Sequence, residues 1–264
     1  MTHTISALYC YPVKSLKAVG LENMAIDSFG PLWDRRFMLV DGDGQFITQR
    51  RYPVLSQVSA GFDGQVLSVS GIDMPPLDVD LEEFEGLTEV EVWRDRVTAD
   101  VCRNKKINAM FSDLLGIEVR LVFMPESSFR QIDPEYCAER RRVGFADGFS
   151  FLLTNQASLN DLNSRLPAPI PMSRFRPNIV FEGDRPYQED DWKRIRIGSV
   201  EFDVVKPCSR CVMTTIDQNG IAGKEPLKTL SSYRRNAYGV CFGQNLVHRR
   251  EGRVSVSDVL EVLE

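Results

Sequence analysis

Histidine is scarce: the 264 residues include only His3 and His248, one near each end. A metal centre built on imidazoles, or a cysteine–histidine nucleophile pair, is therefore poorly supplied. Long hydrophobic runs are also missing. No stretch of about 18 apolar residues occurs, so no membrane-spanning helix is expected. Met1-Thr2-His3-Thr4 leads straight into a strand-like segment, Ile5 to Val13, without the basic start and apolar core of a secretory signal. A cytoplasmic protein is expected. Basic excess is absent too. A net charge of −5 and a pI near 5.3 argue against a general nucleic-acid binder, although a local cluster of cations can still hold one small anion. The six cysteines are too few for a disulfide scaffold in a chain of this length. They read as buried thiols, apart from the closely spaced Cys208 and Cys211.

With 43% apolar and 26% charged residues, the composition is that of a globular chain able to bury a core. Short runs rich in Val, Ile, Phe and Leu at 4–13, 35–41, 45–50, 66–70 and 88–101 predict strands. Turn signals separate them at Asp41-Gly42-Asp43-Gly44, Asp63-Gly64 and Ser70-Gly71, and Pro75-Pro76 marks a loop. Strands this short and frequent suggest a small barrel or sandwich. From Asn104 to Leu115 the period changes. Ile107, Met110, Phe111, Leu114 and Leu115 recur at helical spacing and Gly116 supplies a stop. A strand is expected at 119–124, with a domain boundary near 118. The stretch Ser127 to Arg142 reads as an exposed loop whose Arg140-Arg141-Arg142 run is solvated.

The second half mixes elements. Phe151 to Thr154 predicts a strand feeding a helix over Ala157 to Leu166. Further strands are expected at 178–182, 194–206, 212–216, 238–247 and 253–256. Glu225 to Asn236 predicts a helix with Pro226 in its first turn.

The chemistry concentrates in Lys206-Pro207-Cys208-Ser209-Arg210-Cys211-Val212-Met213-Thr214-Thr215-Ile216-Asp217. A thiolate is the ligand form of cysteine, and a neighbouring cation such as Arg210 favours it. Three chemistries are open. Structural zinc would want a second ligand pair, which the chain lacks. A dithiol redox pair would want a helix after the second cysteine, where Val-Met-Thr-Thr-Ile favours a strand. The third is a single thiolate on a soft-accepting metal that already carries other sulfur ligands.

Ordered motifs run along nearly the whole chain: Tyr11-Pro12-Val13-Lys14-Ser15, Asp34-Arg35-Arg36-Phe37-Met38-Leu39-Val40, Phe145-Ala146-Asp147-Gly148, Ala157 to Asn163, Phe175-Arg176-Pro177-Asn178-Ile179-Val180, Cys208 to Asp217, and Phe242-Gly243-Gln244. In these the chain resembles the MOSC-domain family, in the branch of the mitochondrial amidoxime-reducing components and their bacterial relatives. The resemblance implies an α+β, β-rich fold: an N-terminal MOSC β-barrel domain (1–118), a MOSC β-barrel domain (119–264), a few peripheral helices, and a cofactor held between the halves. It implies a molybdenum–molybdopterin cofactor with Cys211 as metal ligand. Cofactor contacts are implied at Lys14, Ser15, Arg36, Asp147, Arg176, Asn178, Ser209 and Arg210. Arginine grips a phosphate as a fork and lysine acts on it as a point charge. Cys208 falls on a non-ligand position and is expected to pack. Catalytic roles are expected for Cys211 and for Asp147 as a proton relay, whereas Asp217, before Gln218-Asn219-Gly220, looks like a turn residue.

The function so implied is two-electron reduction of small N-hydroxylated substrates. No C-x4-C-x2-C run is present to hold an iron–sulfur cluster, so electrons are expected from a separate iron–sulfur or flavin protein. The alternative is a carrier of the cofactor, or of sulfur as a persulfide on Cys211. A purely structural β-barrel module would leave the basic motifs without a purpose.

Overall fold

A computed structural model describes residues 2–71 and 74–264. The fold is α+β and strand-rich, as the resemblance implies. Its central feature is a closed seven-stranded barrel. Around it run Phe151–Asn155, Ile179–Glu182, Thr2–Cys10, Val259–Val262, Arg194–Ile197, Val200–Ser209 and Gly239–His248, which returns to Phe151–Asn155. All neighbours are antiparallel except Phe151–Asn155 with Ile179–Glu182. A parallel pair needs a crossover, and the helix Gln156–Arg165 supplies it. The first strand shows how the pattern dictates the barrel. His3 and Ile5 point inward, a bulge between Ile5 and Ala7 slips the phase, and Leu8 and Cys10 then carry the buried face onward. Phe151, Phe202, Ile195, Leu246 and Leu260 fill the interior.

The remainder of the first half is built on a four-stranded sheet, ordered Phe37–Val40, Arg120–Phe123, Asp95–Cys102, Phe84–Val92, and a three-stranded sheet of Ser59–Phe62, Val66–Gly71 and Met74–Asp80. One core joins them: Phe37, Leu39, Leu121 and Phe123 pack with Leu67, Val69 and Val79 and with the helix Lys105–Leu115. That helix begins where the sequence places it. Asn104 accepts from Lys106 N and Ile107 N, Ile107, Phe111 and Leu115 are buried, and Gly116 ends it at φ 67°. The other face of the four-stranded sheet is covered as well, by Phe29, Met124 and Phe145. Both faces being buried, Phe37–Val40 is apolar at every position instead of alternating.

Several expectations change in the structure. The predicted strand at 45–50 is irregular, joined to the strand Phe37–Val40 by a single bridge, Val40 to Phe46. The runs 88–101 and 194–206 are each a hairpin, not one strand, turning at Trp93 and Gly198 with positive φ. Pro75 and Pro76 lie within a strand, because Met74–Asp80 is an edge where an absent N–H costs no ladder bond. Residues 212–216 form a short helical turn, Val212–Thr215. The Thr214 and Thr215 hydroxyls bond back to Cys211 O at 3.0 Å and Val212 O at 2.8 Å. The helix expected at 225–236 shrinks to Leu227–Ser231, where Ser231 and Ser232 spend their hydroxyls on backbone carbonyls. The loop 127–142 is tied down more than expected. Ile132 is buried, Arg141 donates to Arg249 O at 3.0 Å, and Arg142 donates to Glu126 O at 2.7 Å. Around residue 118, where a boundary is expected, strands of the two halves interleave. Arg120–Phe123 is an inner strand of the first half's sheet, and Thr2–Cys10 belongs to the barrel of the second half. No helix among the described residues is long and apolar enough to cross a membrane.

Candidate functional site

A cleft of about 280 Å³ lies between the two halves. Lys14, Ser15, Arg35, Thr48 and Arg50 reach it from the first half; Asp147, Arg174, Arg176, Asn178 and Lys206 to Cys211 reach it from the second. Among the described residues the lining holds seven cationic side chains (Lys14, Arg35, Arg50, Arg174, Arg176, Lys206, Arg210) against one carboxylate, Asp147. The chain as a whole carries −5. Positive charge is thus concentrated where the field is focused between protein walls, an arrangement that attracts a polyanion.

Backbone geometry supports the same place. Three of the polar lining residues sit at left-handed φ although none is glycine: Ser15 at 71°, Arg35 at 50° and Arg176 at 56°. Such conformations cost on the order of 1–2 kcal/mol for an L-residue and persist where surrounding contacts enforce them. Here the enforcing contacts are visible. Asp34 accepts from Tyr11 N at 2.9 Å, from Arg35 at 2.5 Å and from Asn178 Nδ2 at 3.1 Å. Asn178 Oδ1 accepts from Arg35 and from Leu152 N, both at 3.2 Å. The Arg35 and Arg176 guanidinium carbons lie 4.1 and 4.2 Å from the Tyr11 ring centre, and Arg176 donates to Leu16 O at 2.7 Å. Burial is the main influence on Arg176, lowering its pKa to about 10, so it remains a cation at neutral pH.

Lys14 is 5% exposed and donates to Phe145 O at 2.7 Å and Asp147 Oδ1 at 2.6 Å. Burial lowers its pKa, and Asp147 opposes that. For Asp147 burial alone would raise the pKa. The attraction of Lys14, its hydrogen bond, Arg50 and the Trp93 indole N–H at 3.1 Å outweigh burial and hold the carboxyl well below its usual range. The geometry has Asp147, its side chain 61% exposed, anchoring Lys14. Arg130, 5% exposed, fixes the backbone there by donating to Gly144 O at 3.0 Å and Ala146 O at 2.5 Å.

Of the residues expected at the site, Lys14, Ser15, Asp147, Arg176, Asn178, Ser209, Arg210 and Cys211 all line this cleft. Arg36 does not. Its guanidinium is 1% exposed, stacks 3.8 Å over Phe29 and donates to Met124 O at 2.6 and 2.9 Å and to Glu126 at 3.0 Å. The left-handed turn at Arg35 sends that side chain to the cleft and its successor into the sheet's packing, so of the two arginines it is Arg35 that faces the cleft. Asn178 is 1% exposed and both ends of its amide are engaged; it positions Asp34 and Arg35 more than it offers a free donor. Asp217 caps its own turn, accepting from Asn219 N and Ile221 N, both at 2.8 Å.

Two details of the cysteine loop differ from expectation. Arg210 directs its guanidinium at Cys208 Sγ, 2.8 Å away, and at Phe175 O, 2.7 Å, instead of at Cys211. Cys208 is half-buried in the cleft wall and is not a core packing residue. Cys211 lies just ahead of the turn Val212–Thr215, half-buried, its carbonyl accepting from Thr214 N at 3.1 Å. Arg210 Nε is buried without a partner. An unpaired buried donor costs about 1–3 kcal/mol, so the cleft carries hydrogen-bonding capacity its own residues leave unused. A donor set of five arginines, two lysines and two half-buried thiols fits a ligand combining phosphate with a thiol-accepting metal. Arg50, Arg174 and Lys206 were not singled out in the sequence because no local pattern distinguishes them from surface cations.

The MOSC domain model matches residues 140–261, and the MOSC N-terminal beta barrel domain model matches 2–118. The human protein named mitochondrial amidoxime-reducing component 1 is 32% identical over 280 residues, covering 98% of this chain and 83% of its own. A bovine mitochondrial amidoxime reducing component 2 is 31% identical, covering 88% and 72%. A molybdenum cofactor sulfurase of Oryza sativa subsp. japonica is 30% identical over 262 residues, covering 90% of this chain but 32% of that protein.

Proposed function

The chain belongs to the MOSC-domain family, with the family's N-terminal β-barrel domain, and from that premise we propose that it is a molybdenum-cofactor-dependent reductase of small N-hydroxylated compounds. The observation that carries this is the cleft itself: seven cations from both halves converge on a space whose far wall is the Cys208–Cys211 loop. Lys14, Ser15, Arg35 and Arg176 would hold the terminal phosphate, and Cys211, as thiolate, would complete the metal's sulfur ligands. When bound, such a cofactor supplies a two-electron couple. The overall reaction takes R–NH–OH, two electrons and two protons to R–NH2 and water. In it the protein's residues orient and tune. Asp147 keeps Lys14 charged, and Asn178 and Asp34 aim Arg35. Electrons come from a separate iron–sulfur or flavin protein.

Metal content of the purified protein is the test. About one molybdenum per fully loaded chain is expected for the wild type and markedly less for Cys211→Ser, together with reduction of benzamidoxime by the wild type with a reduced viologen as artificial donor. Equal molybdenum in both proteins would remove Cys211 from the ligand role. The sulfurase relative motivates a second reading, a sulfur carrier. That reading predicts an intact mass one sulfur heavier, lost in Cys211→Ser, and no turnover.

A further inference from the structure

Within the cleft most cations already have partners. Lys14 is paired with Asp147, Arg35 with Asp34, Arg176 with Leu16 O, Arg174 with Thr214 O, and Arg210 with Phe175 O. Arg50, 4.3 Å from the Trp93 ring centre, and Lys206 are different, and Lys206 is the one beside the cysteine loop. Among the described residues the Lys206 ammonium has no carboxylate within 4.0 Å and donates no hydrogen bond. It rests instead on aromatic faces, 4.3 Å from the Tyr136 ring centre and 5.6 Å from that of Tyr238. A cation–π contact stabilises an ammonium without using up its N–H donors. The backbone is fixed beneath it. Asn245 donates to Lys206 O at 3.2 Å, and the register with Gly239–His248 slips between Val204 and Lys206, the kind of bulge that re-aims a side chain. Phe149, also in the cleft wall, meets Tyr136 edge to face at 5.7 Å. Phe149 thus offers one apolar ring in the cleft beside an ammonium that no carboxylate compensates among the described residues, two residues before Cys208 in the chain.

Resting on the reductase reading above, we propose that Lys206 is the anion-reading contact of a substrate subsite, selecting flat aromatic N-hydroxylated substrates that carry a negatively charged substituent away from the reacting nitrogen. The ring lies against Phe149, and the anion meets the Lys206 ammonium that Tyr136 supports. A lysine suits this task because it acts as a point charge that tolerates either a carboxylate or a phosphate, whereas an arginine would demand a forked geometry.

The test compares 4-carboxybenzamidoxime with neutral benzamidoxime on the oxidised holoprotein without donor, by calorimetry. The wild type is expected to bind the carboxylated compound at least tenfold more tightly, a difference of about 1.4 kcal/mol. Lys206→Met, which keeps the apolar stem, should reduce that advantage below about threefold while leaving benzamidoxime binding unchanged; Lys206→Arg should retain most of it. Equal affinities in the wild type, or an advantage that survives Lys206→Met, would overturn the proposal. Turnover with a reduced viologen separates the two readings. Binding selectivity without any reduction would count against the reductase and leave the subsite standing, whereas reduction of both compounds with equal KM would reject the subsite alone.

Discussion

Two buried titratable groups should pull the stability of this protein in opposite directions between pH 7 and pH 5. His248 is 1% exposed, its ring nitrogens without a side-chain partner among the described residues and the ring edge-on to Phe151 at 5.6 Å. Burial, aided by Arg141, drops its pKa from 6.5 to about 4. Glu189 is fully buried, accepting from Asn155 Nδ2 at 3.1 Å, and burial raises its pKa from 4.5 to about 7. For the histidine the unfolded chain takes up a proton below 6.5 while the folded one does not, so its contribution to stability is lost as pH falls. For the glutamate the folded chain holds a proton up to about 7 and the unfolded one does not, so its contribution grows as pH falls. At about 1.4 kcal/mol per pH unit, each effect comes to about 2 kcal/mol between pH 7 and pH 5, and they cancel in the wild type. His248→Leu should therefore gain about 2 kcal/mol relative to wild type on going from pH 7 to 5, and Glu189→Gln should lose about as much. Urea denaturation reads this directly. With a slope of about 3 kcal/mol/M, the two midpoints should move apart by more than about 1 M. If both variants followed the wild-type pH dependence in parallel, the account of these two buried groups would be refuted.

Two further outcomes follow from the site. Arg35→Ala should weaken cofactor retention, seen as lower molybdenum content after desalting, and also lower the melting temperature, because Asp34, 5% exposed, loses its cation. Arg36→Ala should lower stability alone, costing on the order of 2–4 kcal/mol by emptying the space over Phe29 and leaving Met124 O unpaired; metal loss greater in Arg36→Ala than in Arg35→Ala would contradict the assignment. Gly243 has φ 77°, and a Cβ there would stand 2.6 Å from Leu153 O. Gly243→Ala should cost about 2–3 kcal/mol and lower the melting temperature by about 5–10 °C in calorimetry; an unchanged melting temperature would mean the two strands separate easily at that point.

What could be read in advance divides along physical lines. The helix from Lys105 was legible because an Asn cap, a 3.6-residue period and a Gly stop all act within a dozen residues. Phe37–Val40 was legible because its burial on both faces shows as a continuous apolar run. Val212–Thr215 was not, since its β-branched residues favour strands, and its backbone turn is held by the threonine hydroxyls and the Arg174 bond to Thr214 O at 2.8 Å, which no local pattern announces. The choice between Arg35 and Arg36 rests on one dihedral angle, and the charge of Lys206 matters only because Tyr136 and Tyr238 come beside it from distant segments. Nothing local in sequence encodes either.

The barrel's second strand-to-strand seam has a kinetic consequence. Thr2–Cys10 pairs with Ile179–Glu182 and Val259–Val262, both far later in the chain, whereas its nearby partner Val19–Leu21 is three residues long. Closing the barrel therefore waits on contacts of large sequence separation, and its folding should be slow.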